Sequence, residues 1–325
     1  MGWQITSQSN PRYDSMQGIQ SVFEPRSIQA DAILALSNWV FAAGSLIFVL
    51  VMALLAWAII SRRRHPPLRN TVFIAIGGFA FPAVTLSILM VFTVLVSLHI
   101  TSPAGENAVR IHVTGHMWWW EVQYEGPDGE RIETANELHL PIDRPVSITV
   151  TSEDVIHSFW IPSLAGKVDM IPGHVNEITF TPTEAGVMRG QCAEYCGLQH
   201  AKMAFYVVVE PAEQFDQWLE EQAQPAVEPV PDLLKAGQQA FVDQGCGSCH
   251  AVRGLPGAVG QIGPDLTHVG SRLSIGAGWL DGSVGNLAGW IASSQHIKPG
   301  NRMPSFDRLD GKTLRALAAW LESLE

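Results

Sequence analysis

The chain opens with two long uncharged apolar runs, and shorter alternating runs follow. From Ala32 to Ile60, and again from Thr71 to Gly105, there is no Asp, Glu, Lys or Arg. A membrane crossing needs about 20 mainly apolar residues, so each run is long enough. Spans are predicted at about residues 33–60 and 72–99. The rival reading is a pair of buried core helices, but a soluble domain rarely needs two such runs back to back. Gly77, Gly78 and Pro82 lie inside the second run, and membrane helices tolerate such residues because neighbouring groups re-satisfy the freed backbone. The loop Ser61–Asn70 carries four arginines. The positive-inside rule places it in the cytoplasm, with the N-terminus and everything after residue 101 outside. The first run starts too far from Met1, and lacks the basic lead, to read as a cleaved signal peptide.

After Pro103 the period changes to two. Val109–Val113, Val146–Val150, Glu177–Phe180 and Phe205–Val209 read as short strands separated by Gly, Pro and Asp. This spacing predicts an all-β sandwich or barrel. Gln222–Pro231 is a Pro-rich, extended and semi-rigid linker. Beyond it Leu233–Val242 reads as a helix, and Leu309–Leu324 as a closing amphipathic helix. The chain is therefore multi-domain: an N-terminal outer segment over 1–30, a two-helix transmembrane hairpin over 31–100, an all-β domain over 101–221, the linker at 222–231, and an all-α domain over 232–325.

Composition narrows the function classes. Of 325 residues, 47% are hydrophobic and 16% charged, which excludes a disordered chain. Four cysteines are too few for a disulfide scaffold. The net charge of −11 argues against nucleic acid as a partner. That charge is uneven: net +3 over residues 1–100, −14 over 101–231 and zero over 232–325.

The segment Gln191–Met203 concentrates Cys192, Cys196, His200 and Met203. Thiolate and thioether favour soft metals, and imidazole suits copper. Two thiolates four residues apart can each bridge a pair of copper ions, each ion then needing a terminal imidazole and a weak axial ligand. His200 and Met203 supply one of each; a second imidazole must come from elsewhere, and His157 follows a predicted strand. A Cys192–Cys196 disulfide and a zinc site are the competing readings.

Gly115–Trp120, Ser152–Ser158, Ile171–Gly173 and Gly190–Gly197 together closely resemble subunit II of haem–copper cytochrome c oxidase, over about residues 20–220. The resemblance implies a cupredoxin, a Greek-key β-barrel or sandwich carrying the dinuclear copper centre CuA. It implies His157, Cys192, Cys196, His200, Met203 and the Glu194 carbonyl as the copper ligands. It also implies that the Glu194 side chain binds magnesium at the contact with subunit I, and that Trp118 is the residue through which electrons enter. Trp119, which alternates away from its neighbours, reads as packing. One departure is that Ser61–Gly105 lacks the glutamate that mitochondrial-type relatives carry near a proton channel.

Cys246-Gly247-Ser248-Cys249-His250 is the C-x-x-C-H signature of covalent haem c attachment, with His250 as an iron ligand. Met303 is the one Met after residue 203 and the expected sixth ligand, with His268 and His296 as competitors. Its Met-Pro context resembles class I cytochromes c. Lys298 and Arg302 near Met303 predict a locally positive haem edge, docking by charge on the acidic copper domain near Trp118.

The reading is an electron-input subunit of a terminal oxidase of the caa type, in a bacterial cell membrane. Its partners are subunit I, which holds the oxygen-reducing site, further oxidase subunits, membrane lipid, and a cytochrome c or respiratory complex as donor. A nitric oxide reductase subunit is one alternative, distinguished by the partner's sequence. A redox relay without a catalytic partner is the other, distinguished by whether a large haem subunit co-purifies.

Overall fold

The computed structural model describes residues 19–61, 70–126 and 129–325. Residues 1–18 of the N-terminal segment, and Arg62, Arg63, Arg64 and Arg69 of the basic loop, lie outside the described residues. The described chain forms two units. One holds Gln29–Pro103, and the other the remainder on either side of it.

The first unit is helical. Helix α1 (Ile28–Ile60) starts earlier than the predicted span, because a helix can run past the apolar layer through Gln29 and Asp31. Its 33 residues make it about 50 Å long, against a hydrocarbon core of about 30 Å. The second run comprises α2 (Asn70–Ile74), a π-helical stretch Ala75–Ala80, and α3 (Phe81–Ile100). Pro82 explains the π stretch: it has no N–H to give to the carbonyl four residues back. The ladder shifts instead, and the Phe81 N–H donates to the Ile76 carbonyl. Trp39, Phe41, Phe48, Phe73 and Phe79 project outward from these helices. Both helices have the length and composition of membrane spans.

In the second unit, ten strands form two five-stranded sheets. One has the order β3 (Arg131–Ala135), β2 (Trp119–Glu125), β1 (Val109–His116), β5 (Val146–Ser152), β8 (Asn176–Phe180). The other runs β4 (Glu137–Pro141), β10 (Ala204–Glu210), β9 (Gly186–Cys192), β6 (His157–Trp160), β7 (Val168–Met170). β1 runs parallel to β5, and β4 parallel to β10. Alternation buries Ile111, Val113, Trp120, Val122 and Tyr124 between the sheets. Trp120 meets Phe205 edge-on at 5.0 Å. Gly190 is required beside them, since a Cβ there would lie 2.1 Å from Phe205. The N-terminal stretch is tied to this sandwich: Arg26 donates its N–H to the Ser163 carbonyl, and Thr183 donates to the Arg26 carbonyl.

Helix α4 (Ala212–Ala223) closes the sandwich, and the sequence reading did not anticipate it. Phe215, Leu219 and Gln222 follow helical spacing and are buried. Trp218 stacks on His139 at 4.0 Å. The extended linker starts at Gln224 rather than Gln222, because α4 takes up Gln222 and Ala223, and it is held down near its start: the Gln224 carbonyl contacts His268 and the Ala226 N–H donates to the Arg253 carbonyl.

The C-terminal region contains α5 (Asp232–Asp243), α6 (Val284–Ile297) and α7 (Gly311–Glu322). Helices α5 and α7 cross closely because Gly237 has no side chain; a Cβ would lie 2.1 Å from the Ala316 carbonyl oxygen. Phe241 and Trp320 pack edge-on at 5.1 Å beside the crossing. The domain, expected to be all-α, also carries a small ribbon, β11 (Ser274–Ile275) with β12 (Leu280–Asp281).

Candidate functional site: a copper-ligand loop beneath a haem cavity

The copper candidates meet at one end of the second sheet. His157 begins β6 and Cys192 ends β9; Phe159 pairs with Cys192 across these neighbouring strands. The β9–β10 loop then returns Cys196, His200 and Met203 to the same place. Gly197 permits that return with a φ of +106°, a conformation side-chain-bearing residues avoid.

The donor atoms lie close together. Cys192 Sγ is 3.7 Å from Cys196 Sγ, 3.9 Å from His157 Nδ1 and 3.1 Å from the Glu194 carbonyl oxygen. Cys196 Sγ is 3.7 Å from His200 Nδ1 and 3.8 Å from Met203 Sδ. A disulfide needs sulfurs about 2.05 Å apart, and both cysteines are free thiols. The hydrogen bond with Cys196 drives the Cys192 thiol far below the usual range against the effect of burial, and His157 adds to it. The hydrogen bond to Cys192, then burial and the Cys192 charge, push Cys196 up. Two thiolates at this separation coexist only with cations between them, and each sulfur has its own imidazole beside it. The donor set fits a pair of soft metal ions.

Asp154 orients His157. Its Oδ1 lies 2.9 Å from His157 Nε2, and it also accepts the Val155 N–H at 2.7 Å. Its Oδ2 accepts the Met117 N–H at 2.7 Å. Burial would raise the Asp154 carboxyl, but these hydrogen bonds outweigh it and hold it below the usual range. The Glu194 side chain faces outward, 47% exposed and 3.7 Å from Lys167 Nζ.

Beside this loop lies a cavity of about 430 Å³. Its wall includes Cys246, Cys249, His250 and Met303. His250 Nδ1 lies 2.8 Å from the Pro264 carbonyl, which leaves Nε2 free for a metal. Burial keeps this imidazole below its usual pKa, hence neutral, as a ligand must be. Gly263 clears the ring's place, since a Cβ would lie 2.6 Å from His250 Cε1. Two thiols, a tethered imidazole and a thioether around an apolar cavity fit a covalently held haem. The competitors for sixth ligand lie elsewhere: both ring nitrogens of His268 face carbonyls, of Glu325 and Gln224, and His296 is exposed.

The copper domain contributes to the cavity wall through Met117, Trp118, Trp119 and Asn136. Trp118 is buried under the haem domain, 8% exposed, and its Nε1–H donates to the Cys196 carbonyl at 2.8 Å. Trp119 stacks on His116 at 4.3 Å. The expected meeting of the domains near Trp118 is present, but the expected surface attraction through Lys298 is not. Lys298 is 2% exposed and bonds backbone carbonyls, while Arg302 alone of the two remains at the surface. The turn of the β11–β12 ribbon also joins here, the Ala204 N–H donating to the Ala277 carbonyl.

Comparison with known proteins agrees with this division. The family described as "Cytochrome C oxidase subunit II, periplasmic domain" matches residues 126–211, and "Cytochrome c" matches residues 234–325. Cytochrome c oxidase subunit 2 of Alkalihalophilus pseudofirmus is 38% identical over 221 residues, covering 68% of this chain and 63% of that protein. The chain thus spans less than two thirds of that relative's length. The Bacillus subtilis protein of the same name is 34% identical over 270 residues, covering 78% of this chain and 75% of the relative. The crystal structure of the periplasmic domain of subunit II of cytochrome oxidase from Bradyrhizobium japonicum matches 37% of this chain and 96% of its own, with 31% identity and a TM-score of 0.35. With haem c and copper implied by its two domains and two apolar helices to anchor it, the chain belongs to the cytochrome c oxidase subunit II family.

Proposed function

We propose that this chain is the electron-input subunit of a terminal oxidase. It accepts electrons from a cytochrome c-type donor at its haem domain, passes them internally to its copper domain, and hands them to subunit I, where oxygen is reduced. The observation that carries this reading is the shared wall. Trp118 borders the haem cavity and donates a hydrogen bond to the backbone of Cys196. His157, Cys192, Cys196, His200, Met203 and the Glu194 carbonyl would hold the CuA pair, and Cys246, Cys249, His250 and Met303 would hold haem c. Bound there, these groups supply reversible one-electron chemistry.

The chain's own residues do the positioning. Asp154 and the Pro264 carbonyl fix the two imidazoles. Docking of the haem domain over Trp118 excludes water from the seam and holds the two sites at a set separation. The exposed Glu194 carboxylate is proposed to meet a magnesium ion at subunit I. The arginine-rich loop is proposed to face the cytoplasm, with both cofactor domains on the outer face of a bacterial membrane.

Flash reduction of haem c in the full-length, copper-loaded subunit tests the reading. Copper absorbance should bleach as haem c reoxidises, and its hyperfine pattern should show one electron shared by two nuclei. Purification in mild detergent should bring down a larger haem-bearing subunit. Haem c that stays reduced beside oxidised copper would overturn the proposal.

A further inference from the structure

Lys298 lies in the stretch Ile297–Gly300 that leads to Met303, and it is buried. Burying a lysine is costly unless its protons are all taken. Here they are: Nζ donates to the carbonyls of Trp118 at 3.0 Å, Lys202 at 2.9 Å and Gly276 at 3.0 Å. A neutral amine has two hydrogens, so three acceptors call for the ammonium form. Burial and then Lys202 push its pKa down to about 7, with Cys196 acting the other way. An apolar side chain here would leave these three carbonyls without this donor, so the ammonium is what closes the seam.

The acceptors belong to the elements that frame the two sites. Trp118 holds the Cys196 carbonyl, Lys202 lies between His200 and Met203, and Gly276 lines the haem cavity. The copper loop donates in return. Lys202 Nζ bonds the Ile297 carbonyl at 2.7 Å, and Gln199 Nε2 bonds the Pro299 carbonyl at 2.7 Å. Lys202 Nζ also lies 4.6 Å from the centre of the Trp279 ring. Residues 297–299 and 199–202 thus exchange hydrogen bonds, with Lys298 at the centre.

We propose that Lys298 is a positioning residue, whose ammonium latches the Met303 loop of the haem domain onto the copper-ligand loop and so fixes the separation and orientation of the two sites. The latch rests on the electron route proposed above. Lys298 borders the haem cavity but makes its hydrogen bonds to backbone carbonyls of Trp118, Lys202 and Gly276 and to none of the proposed ligand side chains, so it acts on the coupling between the sites.

The test uses the full-length subunit carrying both cofactors, as wild type, Lys298→Met and Gln199→Leu. Three quantities are measured: the absorption spectra of both centres, the flash-initiated rate from haem c to copper, and the relaxation enhancement of the copper resonance by ferric haem, which reports their separation. Lys298→Met should leave both spectra unchanged, slow transfer by at least about tenfold, equivalent to about 1.4 kcal/mol against the docked state, and reduce the relaxation enhancement. The slowed rate should become sensitive to solvent viscosity. Gln199→Leu, losing one neutral hydrogen bond, should slow transfer by about threefold, and it decides the matter if Lys298→Met does not accumulate. Unchanged rate and relaxation in the variants would overturn the latch. So would a shifted spectrum of either centre, because Lys298 would then be supporting a site rather than joining two. If wild type shows no transfer at all, the electron route falls, and the relaxation comparison still decides the latch.

Discussion

Replacing Asp154 by Asn changes almost no volume, and its effect on copper binding follows from three hydrogen bonds. Oδ1 faces His157 Nε2 at 2.9 Å and the Val155 N–H at 2.7 Å, while Oδ2 faces the Met117 N–H at 2.7 Å. With a copper ion on Nδ1, the atom that faces Cys192, His157 would carry its proton on Nε2, so all three partners would be donors. An asparagine must point its own NH2 at one side or the other. It then opposes either Met117, or both Val155 and His157. At least one bond is lost, and the charge that strengthens the rest is gone. A hydrogen bond to a charged group contributes about 1.5–3 kcal/mol. Partners of metal-ligating histidines typically control affinity by about 10–100-fold, or about 1.4–2.7 kcal/mol. Asp154→Asn should therefore weaken copper binding by about 10–100-fold, with Asp154→Ala affected at least as strongly. The assay is competition between the copper-free subunit and a chelator of known affinity. Thermal unfolding and the haem spectrum serve as controls, and neither should move much. An affinity within about twofold of wild type would refute the argument that Asp154 sets the orientation of His157.

Cys196→Ser should abolish the dinuclear copper signature yet keep covalent haem, because attachment uses Cys246 and Cys249 and the apolar core holds the sandwich; copper stoichiometry and haem staining check this. Met303→Ala should retain bound haem but lose the absorption band of thioether–iron ligation, and survival of that band would return the ligand role to another residue. Gly237→Ala should destabilise the haem domain by at least about 1–3 kcal/mol, since its Cβ meets backbone at Ala316; separate unfolding transitions of the two domains would register it. Burial, then Glu121 and Asp265, push Glu133 up to about 7 from 4.5. The folded chain then binds more protons than the unfolded chain between those values, so stability should fall as pH rises across that window. Glu133→Gln should flatten that slope in denaturant titrations.

The copper-ligand loop was readable locally because four donor side chains fall within Cys192–Met203, and the haem site because Cys246–His250 is contiguous. Strand periodicity likewise announced the sandwich, and two uncharged runs announced the spans. Helix α4 was readable in principle from the spacing of Phe215, Leu219 and Gln222, but its acidic, Gln-rich face obscured it. The ribbon at 274–281 was not, because two-residue strands carry no period.

Other features depend on groups far apart in the chain. That His157 stands beside Cys192 follows from the pairing of β6 with β9, which no local pattern states. The rejection of His268 as an iron ligand follows from carbonyls of Gln224 and Glu325, one of them at the far end of the chain. Lys298 shows the difference most sharply. By sequence it was one more basic residue near a haem edge, suited to long-range attraction. Only the docked structure buries it and supplies three carbonyls from three separate segments. Which chemistry this chain can hold is legible along the chain, because ligand type and local spacing are written in nearby residues. How the two sites are joined emerges with folding, because desolvation and hydrogen bonding at a seam exist only once both surfaces have folded and met.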